Sequence, residues 1–502
     1  MRKAIAGTIL SSMLVFAGAK VASGAAPERW VEARSTHFTV LTDAGEKQAQ
    51  RVASQFERMH MVFRTLLPEE GDDAGPPIVV VAVRDRKAMQ ALEPAEYLGK
   101  DRVDLSGFFL RAPDKNYILV RLDAEEDHAY ANVYHEYTHY TLRKADGWLP
   151  LWLNEGLAQF YENTDIDDKM VWLGQANADE LRFLGRNDLM PIETLLKVNR
   201  ASPYYHDEQK GSMFYAESWA LTHFLIASDR IQGTHRMRDY AERMAEGADA
   251  VSAARAVFGD LDKLQQGLSD YVLQRKFMYF MMPATLEAKD AMPEVRPVSL
   301  AEADAVRGDV LIYTNRAWDA KALAEKALRE DPDNALAHES MGYLRFREGD
   351  IVGAKQWFRE AMELDEHSYL GHYYYAMMAM RSGAKDEDDA VEASLRAAIG
   401  LNGEFAPAYD ALAMFYAARH ERLEEAHALN VKAVELEGNR LSYRLNCAEV
   451  LLEQRQVAEA LDVLQDAMRL AKTPDDVAVV EGRIARVEQY QQALNKAVGE
   501  GE

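Results

Sequence analysis

Apolar and polar positions alternate along the chain with periods that change three times. Arg2 and Lys3 precede an apolar run from Ala4 to Ala19, and small residues follow at Ala22, Ser23, Gly24, Ala25 and Ala26. A basic start, a short apolar core and a small-residue exit is the pattern of a cleaved signal peptide, here residues 1–24. Trp30 to Thr42 reads as strand. From Glu46 to Leu67 the apolar residues Ala49, Val52, Phe56, Met59, Phe63 and Leu67 fall three or four apart, one face of a helix. Ile78 to Val83 is a β-branched run, a buried strand. Ser106 to Arg111 and Asn116 to Leu122 are strands of a hairpin, joined by the turn-like Ala112-Pro113-Asp114-Lys115. Residues 27–122 therefore read as an N-terminal α/β subdomain.

From Asp123 the pattern is helical, and residues 123–280 form a second subdomain. Asp123 is a plausible N-cap, with Glu125, Glu126 and Asp127 in the first turn of a helix running to about Lys144. A second helix starts near Asn154 after Pro150, and a third covers Ser212 to Ile226. Residues 281–309 are rich in Pro and charge and read as a linker. Over residues 310–475 a unit recurs. Ala320, Ala354, Ala390, Ala426 and Ala460 step by 34, 36, 36 and 34 residues. Companions at Phe358 and Ala361, Ser394 and Ala397, Asn430 and Ala433, Leu464 and Ala467 repeat the spacing of the second helix of a tetratricopeptide repeat. Four to five repeats span Val310 to Leu470, followed by a C-terminal helix and tail at 476–502. Tyr373, Tyr374 and Tyr375 read as repeat packing, and Cys447 as a buried, inert thiol.

Composition narrows the classes. The chain has 502 residues, 48% of them hydrophobic and 28% charged, as in a folded globular protein. Its 82 acidic against 58 basic residues give a net charge of -24, which repels phosphate backbones and argues against nucleic-acid binding. The single cysteine excludes an intramolecular disulfide, and so sparse a thiol content suits an oxidising compartment. A periplasmic or secreted location is expected, with no membrane span once the signal is removed.

The chemistry lies in Val133 to Glu162. His135 and His139 stand at i and i+4, which on a helix puts both imidazoles on one face, able to share a Zn²⁺ at ~2.0–2.1 Å. Glu136 beside them can take a proton from a metal-activated water. Catalytic zinc needs a third protein ligand and an open position. Asp146 sits in an expected turn, and His206 and His223 are remote. Glu155 is the best candidate, because a Pro-containing turn can fold its helix back, and Gly156 would let the two helices pack closely. Trp148 and Trp152 are expected to lock those helices together.

HEYTH followed by WLNEGLAQF resembles the gluzincin metallopeptidases, and most nearly the peptidase MA-like family of bacterial extracytoplasmic proteins. The resemblance implies an α+β thermolysin-like catalytic domain followed by an all-α tetratricopeptide-repeat solenoid. It implies one Zn²⁺ per chain held by His135, His139 and Glu155, with Glu136 as general base. Phe214 to Leu221 resembles the family's later helix, which makes Tyr215 the candidate oxyanion donor; a core aromatic beside Trp219 is the other reading. His223, on the same face, reads as a core histidine. The G-x-M-E-N strand of the aminopeptidases is absent before the helix. Asn116 to Leu122 is its nearest counterpart as a peptide-binding edge strand. Gln159 stands where thermolysin-like enzymes often carry an acid, and could hydrogen-bond a ligand. The expected partners are a peptide or protein substrate and a protein docked on the concave face of the repeats. A second reading, from another class, is a catalytically idle domain on a repeat scaffold for envelope assembly.

Overall fold

Trp30 to Thr42 is not one strand. It is two, β1 (Trp30–Arg34) and β2 (Phe38–Thr42), paired antiparallel across a turn that Ser35 closes onto Phe38. The computed structural model describes residues 29–66, 77–98, 106–112, 114–124, 130–144, 149–199, 202–206, 208–285, 292–383, 385–471 and 473–499. The signal peptide expected at 1–24 lies outside them. The helix Glu46–Leu66 and the strand β3 (Ile78–Val83) form as their patterns predict. So does the hairpin of β4 (Gly107–Arg111) and β5 (Asn116–Arg121).

A small sheet, β6 (Asp165–Ile166), β7 (Met170–Leu173) and β8 (Phe280–Pro283), lies in the helical part. The expected linker 281–309 is ordered throughout much of its length. It carries the end of β8, then β9 (Glu294–Val298), then a helix from Leu300. β9 pairs with β1 at the rim of a six-stranded sheet of order β4-β5-β3-β2-β1-β9. Pro297 is tolerated there because an edge strand has an outer side that needs no donor.

Strand alternation gives the sheet two apolar faces. Ala33, Phe38, Val40, Val80, Ala82, Ile118 and Val120 face Phe56, Met59 and the helical subdomain. Leu41, Val81, Val83, Tyr117 and Leu119 face Val310, Leu311, Ala320 and Met341 of the repeats. That double burial is why β3 reads as an unbroken apolar run. The repeats are therefore packed onto the sheet.

Five helix pairs make up the array: Leu300–Tyr313 with Ala317–Glu330, Ala335–Arg347 with Ile351–Leu364, Tyr369–Ser382 with Asp388–Leu401, Ala406–Ala417 with Leu423–Leu436, and Leu441–Glu453 with Val457–Leu470. The first begins at Ser299, whose capping box with Glu302 starts the helix ten residues ahead of the expected Val310. Small buried residues let the paired helices approach, as at Gly342, where a Cβ would stand 3.0 Å from the Phe358 ring. In the third pair Ser394 is buried and Ala390 packs at the edge of the neighbouring core as their spacing predicts, while Val391, Leu395 and Ala398, rather than Ala397, are the fully buried apolar positions. The helix Pro474–Gly499 closes the array with Val480 and Val487. Cys447 is buried and its thiol is pushed up to about 11 by that burial. Among the described residues no helix is long and apolar enough to cross a membrane.

Candidate metal centre

Three helices build the centre. The histidine helix is Ala131–Lys144, which starts later than the expected Asp123; that carboxylate pairs with Arg121 at 2.8 Å instead. Its inner face is fixed by aromatics with polar tips: Tyr134 accepts from Gln55 at 2.7 Å, and Tyr137 meets the His60 ring at 2.9 Å. His135 and His139 project from the opposite face. The glutamate helix, Leu151–Glu162, starts directly after Pro150. Glu155 is buried on it, and Gly156 lies against the long helix Glu208–Gln232. A Cβ on Gly156 would stand 2.1 Å from Thr222 Oγ1 and 2.4 Å from the Ser218 carbonyl. The close approach foreseen for Gly156 is thus made to the long helix, not to the histidine helix. Trp152 likewise packs on Tyr240, at 5.7 Å between rings.

Among the described residues His135, His139 and Glu155 form a group whose donor atoms all lie together. His135 Nε2 and His139 Nε2 are 3.2 Å apart, and Glu155 Oε2 is 3.6 Å from the first and 3.4 Å from the second. Ligands at ~2.0–2.1 Å on a tetrahedral ion are separated by about 3.3–3.4 Å. The spacing of the three donors is compatible with one face of such a tetrahedron. The His135 Nδ1 is 3.0 Å from Glu162 Oε2, the carboxylate–histidine pairing that orients metal-binding imidazoles.

Electrostatics favours a cation here. Burial alone would lower the His135 imidazolium, but hydrogen bonds to Glu155 and Glu162 outweigh it and push it up to about 10. Burial alone would raise Glu155, but hydrogen bonds to His135 and His139 bring its carboxyl down to about 2. Both shifts mark a place where positive charge is stabilised.

Tyr215 is half-buried on the long helix. Its phenol is pushed well up by burial, then by the Glu155 carboxylate, by Tyr205 and by Glu136, so it stays neutral. Glu136 sits beside the pair, and its backbone carbonyl accepts from Arg111 Nη2 at 3.3 Å. His223 is buried between Tyr271 Oη at 2.6 Å and the Gly174 carbonyl at 2.8 Å, a core histidine as expected. Asp146, Trp148 and the His206 side chain lie outside the described residues.

Two residues escape the sequence reading. Glu162, not Gln159, reaches His135; its signal is the two-turn spacing from Glu155 along one helix face. Glu180 lies near it, with a carboxyl pushed up to about 7 by burial and by the Glu162 charge. No local pattern marks Glu180. Asn116–Arg121 is not the sheet edge: β5 is interior, and β4 is the outer strand. A groove of about 1120 Å³ between the sheet and the repeats is lined by His37, His60 and Tyr140 and by none of the three donors.

A family model described as a protein of unknown function (DUF1570) matches residues 129–245, which contain both histidines, Glu136, Glu155 and Tyr215. No curated protein matches the chain. Among solved structures it is similar to a thermophilic TPR protein of Thermus thermophilus, with 21% identity and TM-score 0.30 over 38% of this chain and 99% of that one. It is similar to YrrB, described as a TPR protein with an unusual peptide-binding site, with 18% identity and TM-score 0.31 over 36% and 92%. It is also similar to PilF of Pseudomonas aeruginosa, with 18% identity and TM-score 0.33 over 38% and 86%.

Proposed function

We propose that this protein is an exported zinc-dependent peptidase of gluzincin type, with a thermolysin-like arrangement of its catalytic subdomain. The observation that carries the reading is the triangle of His135, His139 and Glu155 donors, sized for one zinc and backed by Glu162. A zinc ion bound there supplies Lewis acidity and brings the pKa of a ligated water toward 7. Glu136, on the same helix, is placed to take a proton from the attacking water and pass it to the leaving amine. Tyr215, neutral at any working pH, is placed to donate to the developing oxyanion. Glu162, bonded to His135 Nδ1, would leave its Nε2 free to hold the metal. β4, whose outer edge pairs with no other strand among the described residues, replaces Asn116–Leu122 as the strand on which an extended substrate adds. The basic and apolar N-terminal run supports export, and the repeats support recruitment of a protein partner or substrate.

Glu136→Gln keeps the three donors and removes the base. It is expected to slow cleavage of a peptide library by ~10²–10⁴-fold with zinc retained. Equal cleavage by the variant and the parent chain overturns the assignment of Glu136.

A further inference from the structure

We propose that the repeat array is part of the machinery of this site. By gripping the turn between β4 and β5, it holds the edge strand against the helix that carries His135, Glu136 and His139. Asp309, Tyr313 and Tyr374 of the repeats, with Asp114 and Lys115 of the turn, are then positioning residues. The inference rests on the peptidase reading for its consequence and on the packing alone for its geometry.

The first helices of three successive repeats converge on this one turn. Lys115 Nζ is 2.8 Å from Asp309 Oδ2 and 3.8 Å from Glu339 Oε2. Asp309 also accepts from Tyr117 and, at 3.3 Å, from Ser340. Asp114 Oδ2 accepts from Tyr313 at 3.0 Å and from Tyr374, while its backbone carbonyl accepts from Tyr369 at 2.9 Å. Ser368 in turn donates to Glu339. Asp114 and Asp309 are buried, so a displaced turn would strip Asp114 Oδ2 and Asp309 of the partners that satisfy them. The inner face of the first three repeats, expected to await an outside partner, is partly occupied by the chain's own turn, and the groove beside it is lined by Glu339, Ser368 and Tyr369.

The other end of the lever touches the site. Among the described residues β4 pairs with β5 alone, and it meets the histidine helix at three places. At Gly107 an added Cβ would stand 3.0 Å from Val133 Cγ2 and 2.9 Å from the Leu119 carbonyl, so strand and helix are in closest contact. The Phe109 ring is 5.5 Å from Tyr140 and 6.3 Å from Tyr137. Arg111, the last residue before the turn, donates to the Glu136 carbonyl. A shift of the turn therefore moves the strand that would register a substrate, while the metal donors stay seated on their own helices.

The test uses the full chain with Asp114→Asn and Asp309→Asn, and with Tyr374→Phe as a milder variant should either fail to fold. Hydrogen exchange read by mass spectrometry is followed over 107–111 and 131–144, alongside zinc content and peptide cleavage. Expected is exchange in β4 faster by about tenfold or more, with zinc content unchanged and cleavage reduced through KM and kcat together. Unchanged β4 exchange in folded Asp114→Asn and Tyr374→Phe overturns the coupling. Because exchange is read without substrate, a parent chain that binds no zinc overturns the peptidase reading separately.

Discussion

Gly156→Ala is the sharpest structural perturbation of the centre, because it adds one methyl group at the seam beside the proposed donor Glu155. The added Cβ meets Thr222 Oγ1 at 2.1 Å and the Ser218 carbonyl at 2.4 Å. Thr222 can rotate away, but Ser218 contributes backbone in the middle of the long helix. Since Cβ atoms essentially never come within 3.0 Å of such a neighbour, the two helices must part by at least about 0.6 Å. Overpacking of this kind costs about 1–3 kcal/mol. For a unit of this size that lowers Tm by roughly 3–10 °C. Glu155 is the adjacent residue, so its carboxylate moves relative to two imidazoles now 3.6 and 3.4 Å away. Metal sites tolerate errors of about 0.2 Å, so zinc affinity falls by about tenfold or more. Thermal unfolding by circular dichroism, with and without zinc, and chelator competition for Kd read the two effects. Adding Thr222→Ala does not rescue the variant, because the backbone clash remains. A Tm and Kd equal to those of the parent chain would refute the claim that this helix contact sets the donor geometry.

Three further outcomes follow from particular residues. Glu162→Gln loses the charge that orients His135 and is expected to weaken zinc binding by ~10–100-fold without unfolding the chain, as chelator competition will show. Glu217 is buried with its carboxyl pushed up to about 8 by that burial, against one donation from the Met190 amide. Its folded pKa is above the ordinary 4.5, so the unfolded chain loses the proton first and stability falls as pH rises from about 4.5 to about 8. Glu217→Gln keeps an acceptor for Met190, and its Tm should gain on the parent steadily between pH 5 and 8; a constant difference contradicts this. A fragment ending at Val298 leaves Leu41, Val81, Val83 and Leu119 uncovered, so it should aggregate or unfold where the full chain is soluble, as light scattering and unfolding scans will read.

The legible parts of the chain are those written in local spacing. Phe56 and Met59 recur on one helix face, β3 is a continuous apolar run, and His135 and His139 stand one turn apart. Each pattern needs only a few neighbouring residues to be read. Parts decided by distant packing are less legible. The turn at Ser35 to His37 carries no Gly or Pro, so β1 and β2 merge into one strand-like segment. Pro293 and Pro297 make 281–309 look like a linker, although an edge strand accepts proline without losing a ladder bond. The order of strands, which puts β5 inside and β4 outside, depends on crossovers that no local pattern records. Asp114 and Lys115 read as a polar turn, and nothing near them in the chain announces three tyrosines and an aspartate that lie 194 to 260 residues on.

The account stands most directly on whether His135, His139 and Glu155 hold a metal. The chain from Ala25 onward, with His135→Ala and Glu155→Ala controls, can be assayed for bound metals by mass spectrometry. About one zinc per chain, lost in both controls while the fold is retained, is the expected result. A well-folded chain that binds no zinc even when zinc is supplied would contradict the peptidase and leave the repeat scaffold as the better description.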